Sequence, residues 1–253
     1  ISVSDKTNII PFTKTLIEKF NYKILSSGGT AQYLNEANIP VIKVSDFTKS
    51  PEILEGRVKT LHPKIHGGIL AKRSDKNHIN DLAMNNFEFI DLVVVNLYPF
   101  QKKIKDNCNW DEAIENIDIG GPSMIRSAAK NHKDVAVLVN PNQYDIFLQE
   151  MEKGKLPFEF KTKLAFEAFQ LTANYDIAIS NWISKEKELE QKYHLTTNQL
   201  IQPLRYGENP HQKANWFGSY DEGWKQAKQL QGKELSYNNL LDLESALSTV
   251  LEF

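Results

Sequence analysis

The sequence predicts an α/β fold built on a parallel sheet, because short apolar runs alternate with helical patterns as far as residue 139. The predicted strand Leu92–Asn96 reads Leu-Val-Val-Val-Asn, an apolar run typical of a strand buried on both faces. Between the first two predicted strands, Ile9, Phe12 and Leu16 recur at helical spacing and form one apolar face. Together these patterns favour a parallel sheet with helices on both faces.

The elements follow from these periodicities in chain order. Strands are predicted at 1–3, 22–26, 41–44, 92–96 and 135–139. Helices are predicted from Thr7 or Asn8, then at 31–37, 79–84, 111–116 and 122–131, with a long loop that contains a short turn of helix at 48–68. A helical segment at 142–153 and about 159–192 comes next, and a last helix runs from Asn239 to the end. Polar residues near 196–199 mark a boundary, which predicts domains at 1–197 and 198–253, the second being the truncated start of another α/β domain.

Composition excludes several classes of protein. The chain has 253 residues, a net charge of -2 and 41% hydrophobic residues, which fits a soluble globular protein without a broad nucleic-acid-binding surface. No apolar run approaches the length of a membrane span. Cys108 is the only cysteine, so an internal disulfide is impossible. We therefore expect a cytoplasmic protein that uses neither a membrane nor a nucleic acid as partner.

A glycine-rich turn suggests a site for a phosphate group. Ser27-Gly28-Gly29-Thr30 stands between a predicted strand and a predicted helix, where exposed N–H groups and the helix N-terminus favour an anion. Ser4 and Lys6 follow the preceding strand and reach the same edge of the sheet. The alternative is a tight turn in which Thr30 caps the helix.

The long loop carries two cations, Arg57 and Lys59, at a spacing that suits an anionic ligand. A solvated basic surface loop is the alternative reading. His62 and His66 lie nearby, but no carboxylate or cysteine stands at a useful ligand spacing, so we predict no metal site.

Three further polar residues follow strands or open helices. Asn96 and Tyr98 directly follow a buried strand, where a tyrosine either moves protons or packs before Pro99. Asp118 precedes Gly120-Gly121 and acts either as a base or as a helix cap. Lys130 ends the predicted helix 122–131, about 12 Å along the axis from its start, so spacing alone does not bring it beside Asp118.

Taken in order, these motifs resemble the bifunctional purine-biosynthesis family that combines AICAR formyltransferase with IMP cyclohydrolase. The motifs are Gly56 to Pro63, Asn96 to Phe100, Asp118 to Gly121 and Ala128 to His132. Residues 1 to about 195 resemble the cyclohydrolase domain, and Arg205 to Gln212 resembles the opening of the transformylase domain. The resemblance implies a methylglyoxal-synthase-like, Rossmann-like fold and ring closure of formamidoimidazole carboxamide ribotide (FAICAR) to inosine monophosphate (IMP), without a metal or redox cofactor. We expect the chain to be an N-terminal fragment.

The resemblance also implies roles for individual residues. The catalytic set is Lys59, Tyr98, Asp118 and Lys130, with Lys130 as proton donor and acceptor. The nucleotide-binding set is Ser4, Asp5, Lys6, Ser27, Gly28, Gly29, Thr30, Arg57, Val58, Thr60, Val95, Asn96 and Ile119, and Arg205 and Tyr206 match AICAR-binding positions.

The longer proteins of the family imply further expectations. They use 10-formyltetrahydrofolate as the co-substrate of the transformylase and are expected to form homodimers. We expect that this chain alone does not transfer a formyl group. Two alternatives stay open: a regulatory nucleotide- or phosphate-binding module of the same fold, and methylglyoxal synthase itself.

Overall fold

The computed structural model describes residues 1–106, 108–218, 224 and 227–253. Contacts along the backbone divide the chain into two compact units, Ile1–Glu188 and Leu189–Phe253. The first unit carries the parallel strands and the second carries an antiparallel pair. The domain limits 1–197 and 198–253 remain a prediction.

The first unit alternates strands and helices as the periodicity predicts. Its strands are β1 (Ser2–Val3), β2 (Leu25–Ser26), β3 (Ile42–Lys43), β4 (Leu92–Asn96) and β5 (Ala136–Leu138). Its helices are α1 (Ile9–Phe20), α2 (Gly28–Glu36), α3 (Val44–Thr48), α4 (Pro63–Leu70), α5 (Lys76–Met84), α6 (Phe100–Lys105), α7 (Trp110–Glu115), α8 (Gly120–Lys130), α9 (Tyr144–Glu152) and α10 (Phe158–Glu186). Short 3-10 turns lie at Leu54–Gly56 and Pro141–Gln143.

The strands form two parallel ladders. One has the order β1-β4-β5, with Val3 opposite Asn96 and Val93 opposite Val137, and the other pairs β2 with β3. The amino group of Ile1 donates to the carbonyl of Leu25 at 2.7 Å, which links the two ladders. Parallel register brings the carboxyl ends of β1 and β4 to one edge, where a ligand is expected in this class of fold.

Helix packing buries the predicted apolar faces. Ile9, Phe12 and Leu16 of α1 are all buried, and the ring of Phe12 stacks on Tyr144 of α9 with centroids 4.3 Å apart. The buried alanines Ala128 and Ala129 give α8 a small surface, which lets it approach α10 and β4 closely. The first unit therefore has a main core that holds its strands, and a smaller cluster forms around Phe100, Ala113 and Tyr175.

Several predicted boundaries differ from the structure. Helix α2 begins at Gly28 rather than at residue 31, because the Ala31 N–H already bonds the Ser27 carbonyl. The predicted loop 48–68 contains a 3-10 turn at Leu54–Gly56, but α4 begins at Pro63 within the loop and extends to Leu70, since the His62 ring accepts from the Lys64 N–H and caps it.

Helix α8 begins at Gly120, two residues before the predicted start. Helix α10 ends at Glu186 rather than near residue 192. Glu188 there adopts a left-handed φ of 50°, a conformation that stops a helix, within a run of alternating charges.

The second unit contains a hairpin and a helix. Strands β6 (Gln199–Leu204) and β7 (Ala214–Gly218) pair antiparallel, and α11 runs over Tyr237–Leu251. The Ser236 hydroxyl accepts from the Asn239 N–H and caps α11 in a reciprocal box. The predicted last helix is thus present and begins two residues earlier than Asn239.

Candidate functional site

The ends of β1 and β4 are joined by the side chain of Asn96. Its Oδ1 accepts from the backbone N–H groups of Ser4 at 2.6 Å and Asp5 at 3.0 Å, and lies 2.9 Å from the Ser4 hydroxyl. Its Nδ2 donates to the Asp5 carbonyl at 3.0 Å. Asn96 therefore fixes the Ser4–Lys6 segment, so that these residues stand at the edge where the sequence predicts a ligand.

Lys6 and Asp5 hold different local positions at this edge. The Lys6 ammonium lies 5.6 Å from the ring centroid of Tyr33 on α2, a distance at which the ring attracts the cation. Hydrogen bonds from Thr7 hold the pKa of the exposed Asp5 carboxyl below its usual value. Lys6 thus lies near α2, while the Asp5 carboxyl is hydrogen-bonded within its own loop.

The glycine turn forms the N-terminus of α2. Gly28 has φ +54°, which a residue with a side chain adopts only under strain, and the space around Gly29 is open for 4 Å. Ser27 makes no capping hydrogen bond to α2, so its hydroxyl is not engaged by the helix. Exposed N–H groups and the positive end of α2 make this turn suited to an anion.

Thr30 has a structural task in this turn. Its buried hydroxyl donates to the Val3 carbonyl at 3.0 Å and accepts from the Val3 N–H at 3.1 Å. Both bonds attach α2 to β1 rather than facing a ligand. The predicted pair of phosphate-binding hydroxyls is therefore reduced to Ser27, with Thr30 fixing the turn.

Lys59 joins the glycine turn to Asp118. A Cβ atom added to Gly28 would lie 3.0 Å from the Lys59 Nζ, so the ammonium rests against the turn itself. The same ammonium acts on the Asp118 carboxylate and favours its charged form. The Lys59 ammonium therefore lies against the glycine turn and acts through space on the charge of the candidate base.

Arg57 and Val58 are placed differently from Lys59. The Arg57 guanidinium forms an ion pair with Glu115 of α7 through both its Nε and an Nη atom. Val58 is half-buried behind it. Sequence reasoning did not identify Glu115, because nothing in the chain indicates that α7 approaches the loop.

Asp118 caps α8 from the preceding turn. Its Oδ1 accepts from the Gly121 N–H at 2.8 Å, and its Oδ2 would lie 2.3 Å from a Cβ at Gly121. Burial raises the pKa of Asp118, which the Gly121 bond and the Lys59 ammonium only partly offset. A carboxylate whose pKa is raised in this way is a better proton acceptor than an exposed one.

Thr60 lies against the same helix start. A Cβ at Gly120 would lie 2.3 Å from the Thr60 Oγ1, so the loop and α8 are in close contact there. Ile119 is 58% exposed beside them, while Val95 is buried in β4 and offers only its backbone. Thr60 therefore holds the loop against the start of α8, and Val95 packs β4 into the core.

Tyr98 and Tyr175 complete the cluster. Tyr98 is half-exposed after β4, and Tyr175 of α10 is buried. Burial raises the pKa of Tyr175, the hydrogen bond from the Asp118 N–H partly offsets this, and the charges of Asp118, Asp176 and Tyr98 raise it further. Tyr175 falls in the predicted helical segment at about 159–192, but periodicity gives no sign of its polar partner, because its bond to the Asp118 N–H depends on tertiary packing.

Lys130 lies apart from this cluster. It is exposed at the end of α8, ten residues from the Gly120 at the start, which is about 15 Å along the axis. Asp118 sits at that start. The earlier beginning of α8 thus lengthens the separation that the spacing predicts.

Arg205 and Tyr206 belong to the second unit and contact each other there. The Arg205 guanidinium lies 5.0 Å from the ring centroid of Tyr206 and donates to its hydroxyl at 3.4 Å. Hydrogen bonds from Ser236 and Arg205 lower the pKa of Tyr206. A cavity of about 550 Å³ in this unit is lined by Arg205, Lys233 and Asn239 among others.

The two histidines of the long loop have partners of their own. The His62 Nε2 lies 3.2 Å from the Ser50 hydroxyl, and the His66 Nδ1 lies 3.0 Å from the Ser127 hydroxyl. Within the described ranges, no three His, Cys, Asp or Glu side chains gather as a metal would require. No helix among those residues is long and apolar enough to cross a membrane.

A cleft of about 560 Å³ lies between β2 and β4, and its lining includes Ser27 and Thr60 of the candidate site. Its apolar part is formed by residues such as Ile24, Leu25, Val93 and Val94. Moving a phosphate into apolar surroundings is costly unless the charge is paired. The end of the cleft that carries Ser27 and Thr60 is therefore the part suited to a phosphate.

Comparison with known proteins gives matches over nearly the whole chain. Residues 8–123 match the model of the MGS-like domain, and residues 128–253 match the model of the AICARFT/IMPCHase bienzyme. A solved protein, described as the crystal structure of ForH, is similar with a TM-score of 0.63 and 33% sequence identity. That likeness covers 71% of this chain and 95% of the other.

Curated relatives share the sequence throughout. The bifunctional purine biosynthesis protein PurH of Prochlorococcus marinus strain MIT 9515 is 71% identical over 253 residues, and that of strain MIT 9301 is 70% identical. Each match covers 100% of this chain and 49% of the relative, so the chain spans about half the length of the curated relatives it matches. The chain belongs to the AICARFT/IMPCHase bienzyme family of bifunctional purine-biosynthesis proteins, and its first half is an MGS-like domain.

Proposed function

We propose that the first unit is an IMP cyclohydrolase, which closes the ring of FAICAR to form IMP with loss of water. The observation that carries this proposal is the position of Lys59, whose ammonium rests on the Gly28 turn and also acts on the Asp118 carboxylate. A phosphorylated substrate bound at the turn would thus extend toward a carboxylate with a raised pKa. A site that only binds phosphate has no need of that carboxylate.

Binding begins with the 5′-phosphate in this proposal. The N–H groups of α2, the Ser27 hydroxyl and the Lys6 ammonium offer donors and positive charge on one side of the turn. Arg57 is close by and would contribute only after leaving Glu115. Holding the phosphate orients the rest of the nucleotide along the edge of the sheet.

Ring closure joins two groups of the same substrate. The carboxamide nitrogen attacks the formyl carbon, a C–N bond forms, and the formyl oxygen leaves as water after taking up protons. Asp118 accepts or directs the carboxamide proton, while Lys59 and Tyr98 stabilise the negative charge that develops on the formyl oxygen. Most of the acceleration comes from holding the two groups in contact, so no redox cofactor or metal is required.

Lys130 keeps its role as a prediction from the resemblance. Its place at the far end of α8 gives it no contact with Asp118 through that helix. A Lys130→Ala chain whose rate is undiminished would remove the role.

For the longer proteins in which this segment occurs, we propose a second activity. They would transfer a formyl group from 10-formyltetrahydrofolate to AICAR, with Arg205 and Tyr206 binding AICAR. The paired guanidinium and phenol of these residues support a site for an anionic or planar ligand. We also propose a cytoplasmic location and a homodimer for those proteins.

Conversion of FAICAR by the purified chain tests the cyclohydrolase proposal. Formation of IMP is followed by ultraviolet absorbance against an enzyme-free blank. Conversion well above the blank supports the proposal. A folded chain that binds IMP without converting FAICAR would contradict it and favour the regulatory binding module.

A further inference from the structure

We propose that Tyr175 is a positioning residue for this site: its hydroxyl holds the turn that carries Asp118, and its ring holds the segment that carries Tyr98. The inference deepens the proposed cyclohydrolase function and rests on it for its kinetic consequence. Its geometric part stands on contacts of the chain alone.

The hydroxyl of Tyr175 makes two hydrogen bonds, and both go to one turn. It accepts from the Asp118 N–H at 2.8 Å and donates to the Asn116 carbonyl at 3.3 Å. This turn connects Glu115, the last residue of α7, to Gly120, the first of α8. Tyr175 therefore fixes the backbone of Asp118 from below, while the Gly121 N–H fixes its carboxylate.

The ring of Tyr175 contacts the other candidate catalytic segment. It meets the Phe100 ring edge to face, with centroids 6.2 Å apart and an interplanar angle of 69°. Phe100 is 1% exposed, and its N–H donates to the Tyr98 carbonyl at 2.8 Å. Movement of Tyr175 would thus displace the Tyr98 backbone as well as the Asp118 turn.

Packing alone does not explain a tyrosine at this position. Its neighbours Phe100, Ala113 and Trp182 are apolar, and a phenylalanine would fill the same space beside them. Burying a hydroxyl among such groups is costly unless it is hydrogen-bonded. The hydroxyl is therefore accounted for by the Asp118 turn, which is the only group it bonds among the described residues.

Two titratable groups act on Asp118 directly. The Lys59 ammonium acts on its charge from the long loop, and the Tyr175 hydroxyl accepts from its N–H on the side of α10, while Tyr98 acts on Tyr175. Loss of the Tyr175 hydroxyl would free the turn and admit water to the carboxyl. Since burial is what raises the pKa of Asp118, we expect that pKa to fall toward the ordinary value.

The test replaces Tyr175 by phenylalanine in the full 253-residue chain. We expect kcat to fall by about 10- to 100-fold with KM changed less than about twofold, because displaced catalytic groups lose rate while the phosphate turn is intact. The Asp118 carboxyl is titrated by ¹³C NMR in the ligand-free chain and assigned by comparison with Asp118→Asn. Its pKa is expected to be lower in Tyr175→Phe than in the unsubstituted chain.

Two variants control for other effects. Tyr22→Phe removes the hydroxyl of a half-buried tyrosine whose charged neighbours are Asp91 and Arg73 rather than Asp118 or Lys59. Trp182→Phe loosens the same aromatic packing, since Trp182 contacts Phe100 and Trp110, but leaves both Tyr175 hydrogen bonds. Tyr22→Phe should keep both kcat and the Asp118 pKa, and Trp182→Phe should keep the Asp118 pKa, because the Asp118 turn stays bonded to Tyr175.

The outcomes separate this inference from the proposed function. If kcat and the Asp118 pKa are unchanged in folded Tyr175→Phe, or if Trp182→Phe lowers that pKa equally, the positioning role is overturned. If the unsubstituted chain makes no IMP, the proposed function fails, and the carboxyl titration alone decides the role of Tyr175. If Tyr175→Phe does not fold, hydrogen exchange of the Asp118 N–H is measured in the unsubstituted chain. Slow exchange supports the inference and fast exchange overturns it.

Discussion

At the scale of single residues, the candidate site depends on carboxyl and ammonium groups that the fold keeps close together. Asp118 is a helix cap and a candidate base at once, two readings that the sequence left as alternatives. The structure makes them compatible, because one carboxyl oxygen accepts from Gly121 while the group as a whole is held near Lys59. Burial raises its pKa and so sets its basicity.

Asp118→Asn should separate capping from catalysis. An asparagine oxygen still accepts from the Gly121 N–H, so the start of α8 is kept while the base is lost. We expect kcat to fall by about 100-fold or more in the conversion of FAICAR. Asp111→Asn, which changes an exposed carboxylate at the start of α7, is the matched control. Equal rates for the two variants would rule out Asp118 as the base.

The same substitution should alter stability in a pH-dependent way. The folded pKa of Asp118 is raised, so its contribution to stability is fully present below the ordinary value of 3.8 and is lost as pH rises through the folded pKa. Asp118→Asn should therefore raise the unfolding midpoint at pH 7 by roughly 1–3 °C. Thermal unfolding followed by circular dichroism at pH 7 and pH 4 checks this; a midpoint lowered at pH 7 would show that the charge stabilises the fold.

At the scale of elements, the site is made by two helix starts and the loop between them. The amino ends of α2 and α8 carry the glycines, and the loop before α4 carries Lys59 and Thr60. Periodicity predicts the helices themselves because their apolar faces are regular. Their first turns are less predictable, since Gly28 and Gly120 contribute no side chain to the pattern, and the partners that fix them lie far away in sequence.

The glycines of the two helix starts should respond differently to an added methyl group. In Gly121→Ala the Cβ would lie 2.3 Å from the Asp118 Oδ2 and 2.9 Å from Leu97, so we expect lower thermal stability and loss of activity. In Gly29→Ala it would meet nothing within 4 Å, so stability should be unchanged. Substrate affinity of Gly29→Ala should nevertheless fall, because the methyl group enters the proposed phosphate site.

Calorimetric unfolding and KM for FAICAR distinguish these two results. A Gly29→Ala chain that is as unstable as Gly121→Ala would contradict the open turn. An unchanged KM in Gly29→Ala would place the phosphate elsewhere.

Thr30 tests whether the glycine turn is held by β1. Thr30→Val keeps the shape but leaves the buried Val3 N–H and carbonyl without their partner. We expect the free energy of unfolding to fall by about 1–3 kcal/mol. Thr30→Ser retains the hydroxyl and should lose less, as measured by urea unfolding of both variants. If Thr30→Val has full stability but binds IMP poorly, Thr30 contacts the ligand rather than holding the turn.

At the scale of the whole molecule, the first unit was largely predictable and its polar connections were not. Regular apolar patterns predict β4, α1 and α5, and family motifs bring Lys59 and Asp118 into one site. The Arg57–Glu115 pair and the Tyr175 hydrogen bonds depend on tertiary packing, to which single-sequence periodicity has no access. Lys130 shows the reverse case, a motif residue that the helix geometry carries away from the cluster.

The central claim is that Lys59 connects the glycine turn with Asp118. It is tested most directly by comparing the rates at which Lys59→Ala and Lys76→Ala form IMP from FAICAR. Lys76 is an exposed lysine at the start of α5, so its loss changes the net charge equally and leaves the site intact. If Lys59 links the phosphate turn to Asp118, kcat/KM should fall by about 100- to 1000-fold in Lys59→Ala and stay unchanged in Lys76→Ala. Equal rates for the two folded variants would contradict the account.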